Sequence, residues 1–342
     1  MVTNLEVDSH NRFKYCFMAL GASIRDWKHC RPIIVVDGTY LNGHYEENLK
    51  KAYENREGLF FVLDRYNSIK NAIEYMYPRT YHGICSYHLL QNLKSHFGKS
   101  GQNITQAFNS AVRACTLEEF EYHMRQLDTI NQKISAYLAE VGPEKWSRIH
   151  MPENRYSTMT SNIVELVNTF TKTAKNYPIV SPLKSLRQTT QNWFCKHRDN
   201  AHGTFTKLTS KYENEIRKMS IDLKNLRFFL PTSLFSVSND KTTFVVNIEK
   251  QTCTCRMLQV DLLPYSHALT VIATTKRDSC TFCSYYYTRD AYLKAYEDSI
   301  YPVGNPSEWT LPKEVLHEII LASNQKWSCG RPNEKRKRSS RK

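Results

Sequence analysis

Arg31-Pro-Ile-Ile-Val-Val-Asp37-Gly-Thr-Tyr-Leu41 decides the fold: four β-branched apolar residues, Ile33 to Val36, run straight onto an aspartate and a glycine. The run has no period-two alternation, which predicts a strand buried on both faces, as in the sheets of α/β proteins. Ligands of such sheets gather where strands end, so Asp37 stands where metals and phosphates bind. A carboxylate in that place can equally hydrogen-bond the turn at Gly38 and do nothing further. Residues elsewhere in the chain must decide between the two.

Working outward, residues 12–24 (RFKYCFMALGASI) alternate and predict a strand that forms a hairpin with the Ile33 strand. Asn48 to Glu57 reads as a helix, and Leu59-Phe-Phe-Val-Leu63 as a second buried strand, also ending on an acid, Asp64. Helices are predicted over Ser68 to Met76, stopped by Pro78, over His88 to His96, and throughout Thr105 to Tyr137. Within the last, Thr116-Leu-Glu-Glu119 has the form of a capping box, with Leu117, Phe120, Met124 and Leu127 on one face. Met159 to Ala174 and Ser185 to Arg198 continue the helical pattern. Asn225 to Ser238 reads as a connector, Thr242 to Ile248 as a strand, and Ala268 to Thr275 as a helix.

Composition bounds the class. At 342 residues, 41% hydrophobic and 23% charged, the chain can bury a substantial core and is expected to hold about two domains. No uncharged apolar run approaches the ~18 residues of a membrane span, and the start, Met-Val-Thr-Asn-Leu-Glu, lacks a signal-peptide pattern, so an intracellular protein without a membrane partner is expected. The ten cysteines are scattered, which favours thiols or metal ligands over a disulfide framework. The net charge is +14, and residues 331–342 (RPNEKRKRSSRK) carry seven Lys and Arg against Glu334. A basic body with a basic end favours a polyanion, nucleic acid above all, although a tail of this kind can also serve solubility alone. The Lys335-Arg-Lys-Arg338 cluster reads as a nuclear import signal.

Two aspartates at neighbouring strand ends can share divalent cations, since Mg²⁺ takes hard oxygen ligands and a metal pair activates water against a phosphodiester. Asp37-Gly-Thr-Tyr-Leu, Leu63-Asp64-Arg65, Cys85-Ser-Tyr-His88-Leu-Leu-Gln-Asn-Leu, Thr160-Ser-Asn-Ile-Val-Glu165, Tyr177-Pro-Ile and Trp193-Phe stand in that order along the chain. Together they resemble the plant Mutator-like element transposases, from about Asn11 to the basic tail. The resemblance implies an α/β RNase H-like core with a helical insertion at about 100–155, a catalytic triad of Asp37, Asp64 and Glu165 holding Mg²⁺, and DNA as partner. It also matches Cys85 and His88 to the family's Cys-x-x-His motif, where they are either structural metal ligands or a buried thiol beside a satisfied histidine. Glu165 has a second reading, because Asn162-x-x-Glu165 is a helix-cap pattern. One departure stands out. A hairpin and a helix between the first two acids need about 30 residues or more, and the interval 38–63 is shorter and polar at Glu46 to Lys51. The central hairpin of the core is therefore expected to be missing, with poor placement of the acids.

Farther on, Cys253-Thr-Cys255 follows a strand, and Leu263-Pro-Tyr265-Ser-His267 follows it. This resembles a SWIM-type zinc finger, whose Cys-x-Cys and Cys-x-His pairs supply the four ligands that Zn²⁺ requires. Cys253, Cys255 and His267 match, while Tyr265 takes the third cysteine's place. Cys280 or Cys283 would have to replace it; otherwise the unit is a small βα element packed by Leu258, Leu262, Leu269 and Ile272.

The expected organisation is a transposase-like domain over 11–200, a connector over 201–240, the zinc finger over 241–275, an extension over 276–330 and the basic tail. The expected function is a transposase-derived, DNA- and zinc-binding nuclear protein with impaired strand cleavage. An active Mg²⁺-dependent transposase and a non-functional element remnant are the alternatives, and association into a homo-oligomer is left open.

Overall fold

The computed structural model describes residues 2–36, 49–50, 52–64, 67–98, 101–161, 164, 167, 180–221, 227–229, 234–238, 242–310, 313 and 317–321. Strands β1 (Val2–Val7) and β2 (Phe13–Ala19) form an antiparallel hairpin with Leu5 opposite Cys16. The alternating stretch 12–24 is thus strand and then helix α1 (Gly21–Asp26), and its partner is the preceding β1 rather than the Ile33 strand. Turn chemistry explains the difference: the Asp8 carboxylate accepts the backbone N–H groups of His10 at 2.8 Å and Arg12 at 2.9 Å, closing the hairpin there.

The three strands β3 (Ile33–Val36), β4 (Phe60–Leu63) and β5 (Tyr81–Ile84) form a parallel sheet in that spatial order. Val36 pairs with Leu63, and Leu63 with Ile84. Burial on both faces belongs to β4, the central strand; β3 is at the edge of the described sheet and only half-buried. Parallel strands need a crossover. Helix α2 (Asn67–Met76) supplies it between β4 and β5, packing Ile69, Ile73 and Met76 on Leu59, Phe61 and Leu63. Phe60 and Val62 face the other way, against Cys85 and Met151. Ahead of β4, the helix expected over 48–57 is not continued past Ala52. Instead the Arg56 guanidinium donates to the carbonyls of Trp27, at 2.7 Å, and Cys30.

Helices α3 (Ser86–Phe97), α4 (Gly101–Arg113), α5 (Leu117–Ile130), α6 (Gln132–Val141) and α7 (Pro143–Trp146) follow. The single helical run read over Thr105 to Tyr137 is broken by its own caps. Thr116 Oγ1 accepts the Glu119 N–H at 3.2 Å while the Glu119 carboxylate reaches back to the Thr116 N–H, and Asn131 Oδ1 accepts the Lys133 N–H at 3.0 Å. Leu89, Leu93, Ile104, Phe108, Leu127, Ile134 and Leu138 converge on Trp146, whose indole donates to the Leu138 carbonyl at 3.2 Å. Phe120 joins them, but Leu117 does not: as the first residue of α5 it is 55% exposed.

Helices α8 (Val180–His202) and α9 (Ser210–Ile221) lead to an antiparallel sheet, β6 (Arg227–Phe229), β7 (Leu234–Ser238), β8 (Thr243–Asn247) and β9 (Thr252–Cys253), in sequence order. The stretch read as a connector therefore contains a helix and two strands; the alternation of Phe235 and Val237 buries one face of β7. Helices α10 (Met257–Asp261), α11 (Ser266–Thr274) and α12 (Arg289–Lys294) complete the described body. The C-terminal stretch is joined to α8: Arg198 donates to the carbonyls of Tyr296 at 2.9 Å and Asp298 at 2.6 Å. Among the described residues no helix is long and apolar enough to cross a membrane.

Candidate metal centre

The β8–β9 hairpin brings Cys253 back against Val246, and α11 stands across from it. Three ligand atoms, from Cys253, Cys255 and His267, lie within 4.8 Å of one another. Cys255 Sγ is 3.2 Å from Cys253 Sγ, and His267 Nδ1 is 3.9 Å from the latter. A zinc ion about 2.3 Å from each sulfur and about 2.0 Å from an imidazole nitrogen separates tetrahedral ligands by about 3.6–3.8 Å. The sulfur–sulfur spacing falls below that range and the Cys253–His267 spacing just above it, with all three atoms within 4.8 Å, so closing on a metal needs shifts of about an ångström or less. The Phe244 ring stacks on His267 at 3.8 Å and 22°, fixing the imidazole plane.

Both thiols are buried, in a pocket of Phe235, Val237, Val246, Leu258 and Ile272. The Cys255 thiol donates to Cys253, which lowers the pKa of Cys253 and raises that of Cys255. One sulfur is thus prepared to be the thiolate that a soft metal requires. The two thiols and the imidazole could hold a metal ion as three protein ligands. Tyr265, in the expected place of a third cysteine, is the N-cap residue of α11. Cys280 and Cys283 are not brought to the site: they pack beside Leu208, Ile216, Leu263 and Tyr287 in a separate cluster. Leu262 and Leu269 belong to that cluster too, so of the four leucine and isoleucine residues expected to pack the module only Leu258 and Ile272 do so.

A support for this centre was not visible in the sequence. Gln259, on α10, donates through Nε2 to the Cys253 carbonyl at 3.0 Å and accepts the Cys253 N–H at 3.2 Å. Helix α10 is itself tied to the segment after α7. Asn154 Nδ2 donates to the Val260 carbonyl at 2.8 Å, Asp261 pairs with Arg148 and accepts from Ser157, and Tyr287 donates to the Asp261 carbonyl at 2.7 Å. These polar residues carry no spacing signal: Asn154, Arg148 and Ser157 lie more than a hundred positions from their partners on α10, and Tyr287 lies 26 away, while Gln259 itself stands on a helix of only five residues.

Of the three carboxylates, Asp37 and Glu165 lie outside the described residues. Asp64 is 6% exposed and follows β4, next to Leu63, the register partner of Val36. It lines a cavity of about 160 Å³ together with Lys70, His82 and Lys145. Among the described residues no further carboxylate joins it in a group that could hold a metal.

Cys85 and His88 are side by side but form no such group among the described residues. The Cys85 thiol is fully buried and accepts hydrogen bonds from the Ser161 N–H and Oγ, each at 3.2 Å. Burial alone would raise its pKa, but the bonds from His88 and Ser161 outweigh it and pull the thiol down to about 7. The same segment closes over α3: Ser86 donates through N–H and Oγ to the Met159 carbonyl at 2.9 and 2.8 Å. The motif thus anchors residues 159–161 to the end of β5.

No protein-family model matches the chain, and no curated protein and no solved structure matches it either.

Proposed function

We propose that this chain is a transposase-derived, DNA-binding nuclear protein whose cysteine module holds a zinc ion and whose Mg²⁺-dependent strand cleavage is impaired. The observation that carries it is the convergence of Cys253, Cys255 and His267 within 4.8 Å, the ligand types and order of a SWIM-type finger. The net charge of +14 and the Lys335-Arg-Lys-Arg338 cluster support a polyanionic partner and import into the nucleus. The surroundings of Asp64 support impairment. Its cavity is shared with Lys70 and Lys145, cations where a divalent metal would need further oxygen ligands.

The test has three arms. Metal analysis of the purified protein should find about one zinc per chain, lost in Cys255→Ser. Affinity for duplex DNA should fall steeply with added salt, as phosphate contacts demand. Incubation with DNA and Mg²⁺ should give no nicking. Absence of zinc together with a flat salt response would overturn the reading.

A second reading, an active transposase, is favoured by one observation: Val36 and Leu63 are register partners on adjacent parallel strands, and each is followed in sequence by an aspartate. Nicking that vanishes in both Asp37→Ala and Asp64→Ala would establish that reading instead.

A further inference from the structure

A cavity of about 730 Å³ is lined by neither the cysteine centre nor Asp64. Its walls are the residues just before β3, the end of α8, the start of α9, and α12 with the turn that precedes it. The volume is that of a small-molecule site. Two features of its lining point to one chemical class.

The first is aromatic. Tyr212, Tyr286, Tyr292 and Tyr296 all line the cavity, and none is fully buried. Two of the rings are held by stacked neighbours that do not line the cavity. Tyr212 stacks on the buried Tyr287 at 3.9 Å and 24°, and Tyr296 is stacked on His197 at 4.8 Å and 30°. Aromatic rings in the wall of a cavity are a surface on which a planar heterocycle stacks.

The second is cationic. Arg31 and Lys211 line the same cavity, and among the described residues neither makes an ion pair. Arg31 spends one N–H on the Tyr156 carbonyl at 3.2 Å, which fixes the guanidinium without neutralising it. Lys211 Nζ sits 5.2 Å over the Tyr212 ring. Both lie close to the first turn of α9, a helix of 12 residues whose leading N–H groups favour an anion. Asp199 is the one carboxylate of the lining.

We propose that this cavity binds a nucleotide unit, its base stacked among the tyrosines and its phosphate held by Arg31, Lys211 and the start of α9. The site is distinct from the carboxylate end of the sheet. Arg31 precedes β3 and Val36 ends it, so the two lie about 16 Å apart along the strand. The unit comes either from a single-stranded stretch of nucleic acid or from a free mononucleotide. The inference rests on the DNA-binding reading only for the first of these sources.

The experiment uses the full chain and 2-aminopurine, whose fluorescence reports stacking, as a free deoxynucleoside monophosphate and within a short single-stranded oligonucleotide. Binding of either probe should change the emission, and Lys211→Glu, a charge reversal at an exposed position, should weaken that binding by about tenfold or more. Arg31→Gln should act in the same direction, with the circular dichroism of both variants unchanged. A response from the oligonucleotide alone assigns the site to single strands, and one from the monophosphate alone assigns it to free nucleotide; both support the proposal. No emission change with either probe, or equal binding by Lys211→Glu and the parent, overturns it. If duplex DNA still binds with steep salt dependence in that case, the DNA-binding reading survives while this cavity is excluded from it.

Discussion

Gln259 grips Cys253 from both sides, its Nε2 donating to the cysteine carbonyl at 3.0 Å and its Oε1 accepting the cysteine N–H at 3.2 Å. A side-chain amide has one donor end and one acceptor end in a single plane, so this pair fixes the peptide groups on both sides of the cysteine Cα. The thiol is thereby aimed before any metal arrives. Groups that orient a metal ligand without touching the metal commonly contribute a factor of ~10–100 in affinity. Gln259→Ala is therefore expected to lower zinc affinity by about tenfold or more, read by competition with a chromogenic chelator, and Gln259→Glu to lose the donated bond while keeping the acceptor.

The link runs on through α10 to the rest of the body. Asp261 is paired with Arg148 and bonded by Ser157, and both charged side chains are mostly withdrawn from water, at 18% and 12% exposure. Removing one member of such a pair leaves the other buried without compensation, which costs about 3 kcal/mol. Asp261→Ala should destabilise the chain by about that much in urea unfolding, and Asp261→Asn by less. In the double variant with Arg148→Ala the two losses should add to less than their sum, because both remove one interaction. Full additivity would show that the pair contributes nothing.

The elements that sequence reasoning reached best are those with local causes. The strand at Leu59 to Leu63, the helix at Ser68 to Met76 and the capping box at Thr116 each follow from residues a few positions apart. Cys253, Cys255 and His267 were legible because metal-ligand chemistry fixes residue types at short spacings. What could not be read was pairing at a distance. The partner of β2 was decided by an aspartate turn at Asp8, and burial of β4 over β3 by its central place in the sheet. Cys280 and Cys283 looked like spare ligands in the text, yet the turn that carries them packs toward α9. Asp37 and Glu165 lie outside the described residues.

The capping box offers a clean stability test. Thr116 Oγ1 accepts the Glu119 N–H while Glu119 returns a carboxylate to the Cys115 and Thr116 N–H groups, at 3.0 and 3.4 Å. Thr116→Ala should cost about 1 kcal/mol, and Thr116→Ser should restore most of it. Thermal unfolding followed by circular dichroism distinguishes the three proteins. An alanine variant as stable as the parent would mean that water replaces the threonine oxygen without loss.

Cys85 predicts a dependence on pH. Its folded pKa of about 7 lies well below that of an ordinary thiol, burial being outweighed by the bonds from His88 and Ser161. For an acid whose pKa is depressed on folding, the stabilisation is fully present above the unfolded value and lost as pH falls through the folded one. The stability difference between the parent and Cys85→Ser should therefore widen from about pH 7 to about pH 9 and be flat below that window. Urea unfolding at several pH values measures it. A difference independent of pH across the window would mean that the buried sulfur stays a neutral thiol.

Gly83 supplies the last expectation. It lies in β5 beside Val62 of β4, and a Cβ built there would sit 2.7 Å from the Lys145 carbonyl, 2.8 Å from Phe60 Cζ and 3.1 Å from Arg155 Nη1. The ring can tilt, but the carbonyl belongs to α7, which is fixed by the fully buried Trp146 next to it. Overpacking against backbone costs about 1–3 kcal/mol, so Gly83→Ala should destabilise by that amount even though alanine prefers strands over glycine. Phe60→Leu in the same chain relieves the aromatic clash and leaves the carbonyl clash, so the double variant should be more stable than the sum of the two single losses predicts but should stay below Phe60→Leu alone. Equal stability of the double variant and Phe60→Leu would show that α7 moves aside without cost, and that the close approach of α7 to β5 is not set by Gly83.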